Sequence, residues 1–252
     1  MLVILGLLVG GIMSGQSLIR AAELRSVTSD LSRYESAVYT FRDKYFALPG
    51  DMTNATAFWG FAGGTAGNDA DCFNATSNGT TTCNGNGNGE IYPGDNSLAF
   101  NAPEWFHAWV QLKNAGLVEG SYTGRRVGDP RQAVPGTNVP RSKVSNGGFT
   151  LMSYTPIPGL AWYSGRYNPM IFFGTQSADV ETYSPILKAE EAWNIDTKLD
   201  DGRPGFGRVR THHDNANCVT PTGSANQNTA TYNLTANSIA CALIYSFDNP
   251  GQ

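Results

Sequence analysis

The chain has 252 residues, a formal net charge of −4, and only 15% charged residues against 40% hydrophobic ones. That balance argues against a nucleic-acid binder and against electrostatic docking on anionic lipid, both of which want a basic surface. With 29 Gly and 13 Pro, the composition points to a turn-rich body and away from a compact helical enzyme.

The opening run, MLVILGLLVGGIM, carries no charge. Leu2, Val3, Ile4, Leu5, Leu7, Leu8, Val9 and Ile12 are apolar, interrupted by Gly6, Gly10 and Gly11. The run is shorter than the ~20 residues that span a bilayer. It also lacks the marks of a cleaved signal. No Lys or Arg precedes Arg20, and Ser14-Gly15-Gln16 is a poor cleavage site.

The next residues keep helical phase. Leu24, Val27, Leu31, Tyr34, Val38, Phe41 and Tyr45 alternate at spacings of three and four, which is one helix stripe. Arg20, Glu23, Arg25, Asp30, Arg33, Glu35, Arg42, Asp43 and Lys44 form the solvated face, and Pro49-Gly50-Asp51 stops the helix. The expectation is one helix of about 45 residues, ~70 Å long. Residues 1–19 are apolar and 20–46 amphipathic. A helix apolar all round is buried in lipid or in protein. The glycines permit close helix approach or simply reflect glycine's frequency in membrane helices.

Residues 47–252 form a second region, the head. Asn101–Val118 reads as a helix, with Pro103 in its first turn and Gly116 near its end. Ser184-Pro185 starts another, ending before Gly202. Strands are expected at Gly148–Tyr154, Pro169–Gly174 and Ser238–Phe247, and loops over 120–147 and 203–237. The fold class is α+β: a long N-terminal helix packed on an antiparallel sheet. Cys72, Cys83, Cys218 and Cys241 fall into two local pairs without a CxxC. Two disulfides tying long loops, in an oxidising compartment, is one reading, and four free thiols the other.

Three groups could carry chemistry. Counted from Asn84, the run Asn84, Asn86, Asn88, Glu90 and Asp95 follows a calcium loop's order of oxygens, with Gly89 at position six and Ile91 at position eight. Amides in place of carboxylates make it a weak site, or only a left-handed Asn-Gly loop. Asp196, Asp200 and Asp201 could hold a cation, or serve as helix-end and turn residues. His212-His213-Asp214 comes without a G-x-S-x-G or HExxH motif, so no enzyme is expected. Calcium is thus the one cofactor considered. Trp59, Trp105, Trp109, Trp162 and Trp193 make a sugar-binding strip or, more simply, core. Asn54, Asn74, Asn78 and Asn233 each begin an N-x-[ST] triplet.

The segment LVILGLLVGGIMSGQSLIRAAELRSVTSDLSRYESAVYTFRDKYFALPGDMTNATAFWG resembles the N-terminal region of type IV pilin-like proteins, which include the type II secretion pseudopilins. A weaker likeness continues through EWFHAWVQLKNAGLVEGSY and EAWNIDTKLDDGRPGFG. The resemblance implies a filament subunit, held in the inner membrane before assembly and displayed outside the cell afterwards. Identical chains would bundle by their apolar helices, and the glycine-containing stretch would be where the helix unwinds on assembly. Family members are cut after a glycine and methylated on the new N-terminus, and carry an early glutamate that guides assembly. None of these features has a counterpart before Glu23. The alignment implies about five to eight further residues ahead of Met1, which would bring the apolar run to bilayer-spanning length. The alternatives are a pseudopilin in a secretion machine and a secreted binding module with a cleaved signal.

Overall fold

The computed structural model describes residues 2–63, 76–91, 104–125, 132–154, 162–163, 165, 167–177 and 181–247, with side chains from residue 11 onward and without that of Tyr154. The expected long helix is present as α1, Leu2–Tyr45, unbroken through Gly6, Gly10 and Gly11. Arg42 and Lys44 in its last turn suit the negative end of the helix dipole. Phe46 ends it with φ +54, a left-handed conformation rare for a residue with a side chain.

Below Arg20 the helix becomes one wall of the core. Val27, Leu31, Val38 and Phe41 are fully buried and Tyr34 nearly so, while Leu24 and Tyr45 are half-buried at the two ends of the stripe. Tyr34 is the hub. Its ring meets Trp109 edge-on at 5.0 Å and Phe149 at 5.2 Å, and Phe149 stacks on Phe173 at 5.1 Å. The core therefore runs from α1 through the helix carrying Trp109 to the sheet.

After a short helix, α2 (Ala55–Trp59), comes α3 (Glu104–Asn114), inside the expected 101–118 segment. Gly50 lies against the start of α3. It has φ +91, and a Cβ there would stand 2.4 Å from the Glu104 carbonyl oxygen. No other residue allows so close an approach. Strands β1 (Gly147–Tyr154), β2 (Tyr167–Thr175), β3 (Val209–Thr211) and β6 (Leu243–Ser246) form one sheet in the order β1-β2-β6-β3, antiparallel throughout. Strands β4 (Val219–Thr220) and β5 (Thr231–Tyr232) make a separate ribbon. The last helix, α4, is Ala189–Leu199.

Two expectations are corrected. The segment 203–237 is not all loop, since β3, β4 and β5 lie in it. They are too short to show an alternating pattern, and their neighbours and a disulfide order them. The helix expected from Ser184 starts only at Ala189. Before it, Ser184 bridges Thr175 and Leu187 bridges Cys241, so sheet-type pairing takes those backbone groups. Helix α4 is then capped by the Glu191 carboxylate, which accepts from the Lys188 amide at 2.9 Å.

Cys218 and Cys241 are bonded, tying the β4–β5 ribbon to the start of the central strand β6. Cys83 is also held in a disulfide, and Cys72 lies outside the described residues. The long helix on an antiparallel sheet is compatible with a pilin-like fold.

Candidate functional site

The first candidate is the outer end of α1. Ile12, Met13, Leu18 and Ile19 are 60%, 66%, 71% and 63% exposed. Side chains 2–10 are outside the description, but the backbone helix continues through them. The head first grips α1 at Arg20. The Arg20 guanidinium binds Glu191 through Nε at 2.6 Å and Nη2 at 2.8 Å, and also donates to the Ile186 carbonyl. This paired contact raises the arginine's pKa and keeps the Glu191 carboxyl below its usual range. The side chains described from Gly11 to Ile19 are mostly open to solvent, and the helical backbone of residues 2–19 is ~27 Å long at 1.5 Å per residue. Among the described residues, no helix is long and apolar enough to cross a membrane.

A second polar clamp lies fifteen residues further along α1. Glu35 accepts from Arg208 and, at 2.6 Å, from the Tyr245 hydroxyl. The Arg208 guanidinium also lies 4.8 Å over the Tyr245 ring. Burial pushes the Tyr245 hydroxyl well above its ordinary range, so it stays a proton donor to Glu35.

The second candidate is acidic. The carboxylates of Asp196, Asp200 and Asp201 offer oxygens that all lie within 4.8 Å of one another. Asp196 comes from the last turn of α4 and is fully buried; Asp200 caps that helix. Asp196 accepts from the Tyr232 hydroxyl at 2.9 Å and the Gly202 amide at 3.1 Å. Burial pushes its pKa up to about 8, helped by the neighbouring acids and opposed by those two hydrogen bonds. Asp200 accepts from the Arg208 amide and, at 3.3 Å, from Val209. It sits over Gly207, where a Cβ would stand 1.6 Å from a carboxylate oxygen. Asp201 accepts from the Arg203 amide at 2.8 Å. The donor set is all oxygen and suits a hard cation such as calcium. At neutral pH a proton on Asp196 occupies the place of part of that charge.

The Asn-Gly loop is built differently from a calcium loop's expected pattern. Asn84 Oδ1 accepts from the Thr56 amide, Asn86 Oδ1 from Asn88, and Asn88 Oδ1 from Glu90, each at 2.9 Å. All three amide oxygens thus serve the backbone. Asp95 lies outside the described residues, and Glu90 is half-buried. The loop wraps Asp51, whose carboxylate accepts from Asn88 and Gly89 at 3.0 and 2.9 Å. Sequence reasoning gave Asp51 only the role of helix stop, because the amides it binds lie 37 and 38 residues away.

The histidines do not gather. His107 is buried against Thr82, Nδ1 to Oγ1 at 3.1 Å, and burial lowers its pKa to about 3. His212 pairs with Asp214 at 3.4 Å and stacks on Tyr183. That hydrogen bond holds the Asp214 carboxyl below its usual value. The cavity beside them, about 380 Å³, is floored by Pro185, Ala240 and Ala242. Trp105, Trp109 and Trp162 are core residues, and Trp193 is the most open tryptophan of the described head.

No family profile, curated protein or solved structure matches the chain.

Proposed function

We propose that the chain is the structural subunit of an extracellular filament of the type IV pilus kind. In this reading the apolar ends of α1 bundle along the axis and the heads make the outer surface. The observation that carries it is the division of labour along one helix. From Val27 to Phe41 the helix is core; from Ile12 to Ile19 it exposes four large apolar side chains next to a further apolar stretch. Burying each of these four is worth about 1.5–3 kcal/mol, so a partner surface is strongly favoured. Before assembly the same surface would rest in the inner membrane, and after it in neighbouring copies. A short pseudopilus would use the same helix, and filament length separates the two.

Leu18→Asp tests the reading. Leu18 is 71% exposed, so the variant head should melt as the parent does while filament recovery from sheared cells falls below detection. Electron microscopy reads the outcome, and filaments at parental yield would refute the proposal. So would N-terminal sequencing of the native protein that began beyond residue 15.

A further inference from the structure

Five Asn-Gly steps occur in the chain: Asn78-Gly79, Asn84-Gly85, Asn86-Gly87, Asn88-Gly89 and Asn146-Gly147. Such a step can modify itself. The glycine's backbone nitrogen loses its proton and attacks the asparagine Cγ. The new C–N bond closes a five-membered succinimide, and the Cγ–Nδ2 bond breaks to release ammonia. Water then opens the ring at either carbonyl, leaving aspartate or isoaspartate. One water is consumed, one ammonia leaves, and no redox partner is needed.

The attacking nitrogen must be free to lose its proton and to rotate towards Cγ. In four of the steps it is held. Gly85 donates to the Met52 carbonyl at 2.9 Å, Gly87 to the Asp51 carbonyl at 3.1 Å, and Gly147 to the Val144 carbonyl at 2.9 Å. Gly89 donates to the Asp51 carboxylate at 2.9 Å. Two of these glycines are also walled in, since a Cβ on Gly85 would meet Asp51 backbone at 2.3 Å and one on Gly147 would meet Ile186 at 2.4 Å. Asn84, Asn86 and Asn88 have their side-chain oxygens engaged as well.

Asn78-Gly79 shares its exposure with Asn86-Gly87 and Asn88-Gly89 and differs from all four steps in its hydrogen bonding. Both residues are exposed, Gly79 has φ +69, and nothing stands within 4 Å of where its Cβ would be. Among the described residues, neither the Gly79 amide nor the Asn78 side-chain amide has a hydrogen-bond partner.

We propose that Asn78 is a site of spontaneous deamidation in the folded protein, and that the NGNGNG run beside it, the more conspicuous target in sequence, is protected by its fold. The product has structural weight. Lys113 Nζ donates to the Gly79 carbonyl at 3.1 Å and Asn114 Nδ2 to the Thr80 carbonyl at 2.5 Å, so the turn is pinned on the end of α3. A new carboxylate would arise beside that lysine. Isoaspartate would lengthen the main chain by one carbon and disturb the Thr81-to-Asn78 turn bond.

The test holds the full folded chain at mildly alkaline pH and follows each asparagine by peptide mass mapping, with enzymatic methylation to mark isoaspartate. Asn78 should convert about tenfold faster than the other four, the factor one net hydrogen bond supplies. In the unfolded chain the five rates should converge. A folded-state rate at Asn84, Asn86, Asn88 or Asn146 equal to that at Asn78 would overturn the proposal. Asp51→Ala sharpens it by removing the acceptor for Gly89 while leaving those for Gly85 and Gly87, which are backbone carbonyls. Asn88 alone should accelerate, by up to about tenfold. An unchanged Asn88 rate would overturn the mechanism, and a simultaneous rise at all sites would show only loss of the fold, leaving the parental comparison decisive.

Discussion

Asp196→Asn should flatten the dependence of stability on pH. In the folded chain burial holds the Asp196 carboxyl protonated to about pH 8, whereas an unfolded aspartate titrates near 3.9. Between those values the folded state binds one more proton than the unfolded state. Stability from this group is therefore complete below about pH 4 and declines as pH rises through 8, at up to about 1.4 kcal/mol per unit. From pH 5 to pH 7 the parent should lose up to about 3 kcal/mol that the variant keeps. Asparagine preserves the side chain's shape, and its amide can still bond Tyr232 and Gly202. Urea unfolding of both proteins at pH 5, 6 and 7 gives the comparison, and other titrating groups cancel in the difference. Parallel pH profiles would refute the reasoning. If the three carboxylates bind calcium, millimolar calcium should stabilise the parent at pH 7, a chelator should reverse the gain, and the variant should show neither effect.

Leu31→Ala removes a fully buried side chain from the middle of the α1 stripe. It should cost about 2–5 kcal/mol in denaturant unfolding; a loss under about 1 kcal/mol would mean that the helix is not integral to the core. Cys218→Ala with Cys241→Ala opens a loop of 23 residues. The chain-entropy relation gives about 3 kcal/mol for that loop, so the melting temperature should fall by several degrees. Unchanged melting would show that the hydrogen bonds of the β4–β5 ribbon suffice alone.

The long helix was legible because its stripe alternates by three and four over twenty-two residues, from Leu24 to Tyr45. Strands β1 and β2 were legible because their apolar and aromatic runs are bounded by turns. By contrast, β3, β4 and β5 hold two or three residues each and owe their order to strand β6 and a disulfide. The start of α4 was misread because Ser184-Pro185 looks like a helix entry, while the Thr175 and Cys241 backbones claim that stretch. Of the candidate sites, the three aspartates stand out by spacing, and their carboxylate oxygens lie within 4.8 Å of one another. The role of Asp51 was hidden, since nothing local marks a carboxylate as the centre of a distant loop. The two polar clamps on α1 were hidden for the same reason: Arg20 and Glu191 are 171 residues apart, Glu35 and Arg208 173.

Those clamps bear on how tension would pass through a fibre of the kind proposed. Arg20 and Glu35 lie fifteen residues apart, ~22 Å along the helix, and each is tied sideways to the head. Axial pull on α1 would load both ties, together with the aromatic contacts of Tyr34 between them, in shear and in parallel. Parallel shear loading requires several bonds to fail at once, whereas peeling breaks them in turn. The head is thus joined to α1 like a rivet plate with two rows, and the arginine–carboxylate pairs that share the load can re-form when it is released.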